Sequence, residues 1–168
     1  MSPESAIKDV EASQAEVSTD RPEIIITRRL DAPRDDVFRA LTDPKQLDQW
    51  WGPAGFRNTT HEHDLRPGGT WRYTMHGPDG TDYPNRTVYH DVEPPKRLAY
   101  DHGWDRDPFE AMFEGTITLT EEGDGTVIEL RMTFQDMTDR DRNVARVDAV
   151  KGGKETLARL AAFVEVHA

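Results

Sequence analysis

The sequence predicts an α+β fold in which a curved antiparallel sheet wraps around a long C-terminal helix, with two short helices after the first strand. Three observations carry this. Segments between Phe56 and Phe134 alternate apolar and polar residues with period two and are separated by short Gly-, Pro- and Asp-containing turns, as antiparallel neighbours require. Val147, Val150, Lys154, Leu157, Leu160, Ala161 and Val164 recur at three- and four-residue steps, the stripe of a helix with one buried side. Between the first strand and the sheet stand two helix-start signals, Asp31 ahead of Pro33 and Asp43-Pro44.

Taken in order, residues 1–22 read as a disordered or loosely ordered tail, because their apolar residues are isolated and carry no period. They lack the basic stretch and apolar core of a secretory signal. Order begins at Glu23, where Ile24-Ile25-Ile26-Thr27 is β-branched and leads a strand to Leu30. The first short helix takes Val37, Phe38, Ala40 and Leu41 as its apolar side. The second has Leu47, Trp50 and Trp51 at i, i+3 and i+4 and is stopped by Gly52-Pro53. Period two then places His61, His63 and Leu65 on one face. After the Pro67-Gly68-Gly69 turn, Trp71, Tyr73 and Met75 face one way, and Arg72, Thr74 and His76 the other. Beyond the Gly77-Pro78-Asp79-Gly80 turn a strand covers 87–92. Its inward face is open at this level, since Val88 and Val92 compete with Tyr89. Residues 97–104 bring Leu98, Tyr100, His102 and Trp104 into phase. Residues 109–120 do so for Phe113, Ile117 and Leu119, and 126–134 for Ile128, Leu130, Met132 and Phe134. The acidic hairpin turn 121–125 joins the last two strands. The Asp-rich segment 136–142 holds a short turn or helix before the long one.

Composition narrows the function. A chain of 168 residues is one domain, expected over 23–168, and buries roughly two thirds of its unfolded surface without disulfides. Twenty-one basic against 32 acidic residues give a net charge of −11, which repels nucleic acid and anionic lipid. The absence of cysteine removes disulfides, thiolate zinc sites, a cysteine nucleophile and iron–sulfur clusters. No apolar run reaches the ~20 residues of a membrane span. The expectation is a cytoplasmic domain without cofactor, nucleic-acid or membrane partner. Its exposed sheet edges leave room for a homodimer.

Several motifs stand together: Asp43-Pro44 with Trp50-Trp51-Gly52-Pro53; Asp64-Leu65-Arg66-Pro67-Gly68-Gly69-Thr70-Trp71-Arg72-Tyr73; His76-Gly77-Pro78-Asp79-Gly80; and Pro94-Pro95-Lys96-Arg97-Leu98. In this combination the chain resembles the activator of Hsp90 ATPase homologue-like (AHSA1-like) family of the START/Bet v 1-like SRPBCC superfamily, over about residues 23–166. The resemblance implies a helix-grip fold and a hydrophobic cavity, without implying one activity. The family often carries a Gly-Trp pair entering the last helix, where this chain reads Lys151-Gly152-Gly153-Lys154.

The candidate ligand-binding residues are Trp51, His61, His63, Trp71, Tyr73, Met75, Tyr100, His102, Phe113, Leu130, Met132 and Leu157. They combine rigid rings, flexible thioethers and polar tips, which suits a small hydrophobic or amphipathic ligand held between sheet and C-terminal helix. His61-Glu62-His63 also has the spacing of a histidine metal site on a strand, with His76, His90, His102 or Asp64 as third ligand. Cavity polarity is the better account, because no third ligand is fixed. Gly152-Gly153 either opens the cavity mouth or marks a hinge or cap between a short helix and the long one. Pro67-Gly68-Gly69 lacks the context of a phosphate loop, and Asp64 with Arg66 reads as an ion pair. The acidic residues Asp105, Asp107, Asp136, Asp139 and Asp141 lack calcium-loop spacing. Ligand binding is therefore the leading function. An alternative is a cyclase-, dehydratase- or hydrolase-type enzyme using His61, His63, Tyr100 and His102, although no nucleophile–base pair is readable from spacing. A co-chaperone role, suggested by the family name, ranks third.

Overall fold

The computed structural model of the protein describes residues 9–167. A 3-10 turn at Asp9–Ala12 leads into strand β1 (Gln14–Val17) and strand β2 (Glu23–Leu30). Helices α1 (Arg34–Thr42) and α2 (Pro44–Trp50) follow. Then come β3 (Arg57–His63), β4 (Thr70–His76), β5 (Asp82–Glu93), β6 (Arg97–Trp104), β7 (Ala111–Glu122) and β8 (Gly125–Thr133), and finally α3 (Met137–Val147) and α4 (Ala149–His167). The strands form one antiparallel sheet in the order β1-β2-β8-β7-β6-β5-β4-β3. This is the helix-grip arrangement, with the sheet curved around α4.

Local chemistry explains the elements. Asp43 caps α2 by accepting from Lys45 N at 3.0 Å, with Pro44 in the first turn. Trp50 Nε1 donates to the Ala40 carbonyl at 2.9 Å, which locks α2 across α1. The Asp-rich segment becomes α3 because Asp136 accepts from Asp139 N at 2.7 Å. Asp148, left-handed at φ 47°, ends α3, and its side chain then caps α4 through Lys151 N at 3.1 Å.

Cross-strand register divides the sheet into two faces. On the inner face Trp71 stands beside Thr87, Thr87 beside His102 and His102 beside Phe113, while Tyr89 stands beside Tyr100 and Tyr100 beside Gly115. A register shift at His90 turns both Tyr89 and Val92 toward the core, which resolves the 87–92 ambiguity. A second shift lies between Thr60 and Glu62. It sets Thr60 and His63 inward and His61 outward.

Helix α4 buries Leu157, Leu160, Ala161 and Val164; the side chain of Val147 lies outside the described residues. Gly153 marks its closest approach to the sheet. A Cβ there would stand 2.1 Å from Ile26 Cδ1 and 3.7 Å from Met132 Cε. The glycine pair is therefore neither a hinge nor an open mouth. The helix break is at Asp148, and Gly153 lets helix and strand touch.

The N-terminal expectation needs correction for the part described; residues 1–8 lie outside it. Gln14–Val17 is an edge strand on β2. The following turn is tied to α3 by Arg140, which donates to the Ser18 carbonyl and, at 3.0 Å, to the Arg21 carbonyl. All four β1 residues are exposed, so backbone pairing rather than burial orders them, and no apolar period announces it.

Gly115 allows a second close approach. Tyr100 lies across it, and a Cβ at residue 115 would meet Tyr100 Cζ at 2.3 Å. Gly115→Ala is expected to cost about 1–3 kcal/mol by overpacking, measured by urea unfolding. In a Tyr100→Leu background the same change should cost about 1 kcal/mol less.

Candidate functional site

Burial along the inner face changes in one direction. Trp71, Tyr73, Thr87, Tyr89, Leu98, Tyr100, Ile117 and Leu119 are all buried. Toward the end of β4, the start of β5, the end of β6 and the start of β7, the inward residues Met75, Tyr83, His102 and Phe113 are only half-buried, and Trp104 is 37% exposed. In an antiparallel sheet these four strand ends lie at one edge. The concave face is thus sealed at one end and open at the other. Rings line the opening: His102 stacks on Phe113 with centroids 5.0 Å apart, Tyr83 on Trp104 at 6.3 Å, and Phe56 leans on Tyr83 at 5.9 Å.

Deeper in lies a hollow of about 20 Å³ lined by Leu41, Leu47, Trp51, Trp71, Thr87, Tyr89, Leu98, Tyr100 and Ile117. Room for one water-sized group is all this volume gives. Aromatic side chains occupy the rest: Trp51 meets Trp71 edge-on at 5.6 Å, and Trp71 stacks on Tyr73 at 3.7 Å. Each ring's polar tip is held. Trp51 Nε1 donates to Tyr73 Oη at 3.2 Å, Trp71 Nε1 donates to Thr60 Oγ1 at 3.1 Å, and Thr60 Oγ1 donates to Asp48 at 2.6 Å. His63 Nε2 and Tyr89 Oη are hydrogen-bonded at 3.1 Å.

The loop carrying Trp51 is strapped down by α4. Arg159 donates to the carbonyls of Trp51, Gly52 and Pro53 at 3.3, 3.1 and 2.8 Å, and to those of Gln49 and Phe56 at 3.1 and 2.8 Å. Ala54 N donates to Glu155 Oε1 at 3.2 Å. These carbonyls include those that a helix end leaves unpaired, and a cation there is favoured by the helix dipole.

Comparison with known proteins fits this geometry. The family model described as activator of Hsp90 ATPase homolog 1-like protein matches residues 31–165. The chain belongs to this family. Among solved structures it is similar to protein Ms6760 from Mycobacterium smegmatis, at 26% identity, covering 92% of this chain and 98% of that one, with a TM-score of 0.82. It is also similar to protein CV1439 from Chromobacterium violaceum, at 27% identity over 86% and 97% of the two chains, TM-score 0.73. A protein from Arthrobacter aurescens shares the fold at 23% identity, 91% coverage of each chain and TM-score 0.82. A search of curated proteins finds no match. The fold of the AHSA1-like family is compatible with ligand binding.

In this AHSA1-like chain the expected site residues separate into three groups. Trp51, Trp71 and Tyr100 line the hollow, with Tyr73 stacked behind and His63 edge-on to Trp71 at 6.3 Å. Met75, His102 and Phe113 belong to the opening. Leu130 and Met132 of β8 and Leu157 of α4 are buried core. Two expectations are corrected. The hollow lies beneath α1, α2 and Trp51 rather than beneath α4, and the rings themselves fill it to less than ligand size. His61 lies on the opposite face from His63, exposed, with its Nε2 2.8 Å from Thr74 Oγ1, because the β-bulge inverts the alternation. The two therefore cannot share an ion. Among the described residues no group of three or more His, Asp or Glu side chains is placed to hold a metal, and no helix is long and apolar enough to cross a membrane. Nor do the imidazoles of an acid–base site converge. Leu41, Leu47, Thr87, Tyr89, Leu98 and Ile117 line the hollow unforeseen; strand register would have found the four on the sheet.

The concave face is uncharged. Every inward residue of β4–β7 is neutral, while ionic groups lie on the outer face, where Asp105 bridges Arg72 and Arg86 at 3.0 and 2.8 Å. Those hydrogen bonds hold Asp105 below the usual carboxylate range. Burial raises the phenols of Tyr73, Tyr89 and Tyr100, so they stay protonated and serve as donors. Burial also lowers His63 and lowers His102 to about 4.

The His102 shift has a pH signature. Unfolded, the imidazole titrates near 6.5. Below that pH the unfolded chain takes up a proton that the folded chain refuses until about pH 4. The stability of the neutral ring is thus full above pH 6.5 and is lost on acidification toward 4. Thermal unfolding should show Tm falling more steeply across that window for the natural protein than for His102→Phe; parallel profiles would contradict the burial.

Proposed function

We propose that the protein binds a small, uncharged, amphipathic molecule on the concave face of β4–β7, entering at the open end. The observation that carries this reading is the burial gradient. Four strands lose cover at the same edge, and what they leave half-exposed there is aromatic and uncharged rather than ionic. A solvent-facing edge with no function would more simply carry charged residues, as the outer face does. The body of the ligand lies among His102, Phe113, Tyr83 and Trp104. The small hollow is too tight to hold it whole.

A neutral fluorescent probe, N-phenyl-1-naphthylamine, tests the reading. Titration into the protein should give a saturable rise in emission. Trp104→Ala and Tyr83→Ala remove rings at the rim, and each should weaken binding about three- to tenfold, the scale of one lost ring contact. Circular dichroism should be unchanged. Non-saturable emission, or variants that bind like the natural chain, would refute the proposed mouth.

A further inference from the structure

We propose that Thr59, His76 and Asp82, on the outer face of the sheet, form a hydroxyl–imidazole–carboxylate triad that gives the protein a slow esterase activity toward activated esters of short carboxylic acids. The inference is independent of the concave face. Thr59 Oγ1 lies 2.7 Å from His76 Nε2, and His76 Nδ1 lies 2.7 Å from Asp82 Oδ1. Both ring nitrogens are therefore held, and the carboxylate decides the tautomer. An ionised carboxylate can only accept, so Nδ1 carries the proton and donates it to Asp82. Nε2 is left as the acceptor, and the Thr59 hydroxyl donates to it. A hydroxyl is activated for attack in this order, with a base on the hydroxyl and an orienting group behind the base.

Strand register brings the three together. His76 ends β4 directly opposite Asp82 of β5 and Arg57 of β3, and Gly77 N donates to the Thr81 carbonyl at 2.8 Å across the intervening turn. Thr59 follows Arg57 by two residues and shares its face, while Asn58 between them is buried. Two other pairs on this face each lack one member. His61 Nε2 is 2.8 Å from Thr74 Oγ1 but has no carboxylate on its ring, and His90 Nε2 is 3.0 Å from Asp101 Oδ1 but has no hydroxyl. Among the described residues only His76 has both. β3 is an edge strand and Thr59 is exposed, so an ester reaches the hydroxyl from solvent. Arg57 supplies a cation on the same face for the oxygen that turns negative as the carbonyl is attacked. An exposed face holds a substrate weakly, which restricts the reaction to small esters whose leaving group departs readily. Thr59 Oγ bonds to the ester carbonyl carbon and its proton passes to His76 Nε2. The bond to the leaving group breaks, and the departing alkoxide or phenolate takes that proton. Water then attacks the acyl-threonine and gives a proton to His76 Nε2. As the bond between Thr59 Oγ and the acyl carbon breaks, Thr59 recovers the proton and the carboxylic acid leaves.

The full chain incubated with p-nitrophenyl acetate tests this by two readouts, release of p-nitrophenolate and the site of any acetyl group found by peptide mass spectrometry after an acid quench. Release should exceed that in buffer, and acetyl should appear on Thr59. Thr59→Val and His76→Gln should each lower the rate about tenfold or more and remove the adduct. The double variant should fall no further, because the two residues act as one unit. Asp82 is a positioning residue. Asp82→Asn should slow acetylation of Thr59, and Asp82→Glu, which restores a carboxylate, should recover part of it. His90→Gln should leave both readouts unchanged, and circular dichroism should be the same for every variant. A solvent-exposed imidazole can also attack such esters itself. A rate that Thr59→Val leaves intact, an equal loss in His90→Gln, or the absence of acetyl on Thr59 would therefore overturn the triad.

Discussion

The concave side of this protein depends on one half-buried cation joining two covers that are remote in sequence. Helices α1 and α2 close one end of the sheet, and α4 runs along its other half. The Arg159 guanidinium spans the gap by collecting backbone carbonyls from the end of α2 and the loop behind it. Burial lowers its pKa, yet guanidinium remains charged in proteins, so its desolvation is balanced only while those carbonyls stay in place. The loop in turn sets Trp51, and Trp51 sets the ceiling of the hollow. Gly52 supports this from the other side: at φ 100° it passes so near Met75 that a Cβ would lie 2.6 Å from the thioether methyl. Strap, ceiling and rim are thus one mechanical unit.

Much of this architecture is legible in the sequence because it follows from periodicity. The β-branched start of β2, the Asp-Pro cap of α2 and the alternation in β4, β6, β7 and β8 each dictate one element and one face. What escapes are features that leave no apolar period. β1 has no buried residue and exists through backbone pairing and the Arg140 tie. The bulge beside His61 is invisible to an argument that assumes uninterrupted alternation, and it alone separates two histidines that spacing would unite. Gly152-Gly153 looks like a break from propensity alone, whereas tertiary packing on Ile26 keeps the helix continuous.

The site was legible in kind and less so in place. An aromatic inner face follows from Trp71, Tyr73 and Tyr100 in their strands. Which helix covers it does not, because an apolar stripe says that a helix packs, not over which strands. The sequence favours the long helix, but α1, α2 and the strapped Trp51 cover the aromatic half instead. The rings then stack on one another, and space that a ligand was expected to fill is taken by Trp51, Trp71 and Tyr73. The proposed recognition is thereby displaced to the open strand ends, where neutral His102 and the rim rings remain accessible, and only a small, mostly apolar hollow is left inside.

The most direct test of this account is a map of backbone amide chemical shifts on adding N-phenyl-1-naphthylamine to isotope-labelled protein. The account requires the largest changes at Tyr83, Thr87, His102, Trp104 and Phe113, with the outer-face residues Arg72, Arg86 and Asp105 nearly still. Changes scattered over the outer face, or confined to the edge strands β1 and β3, would contradict it.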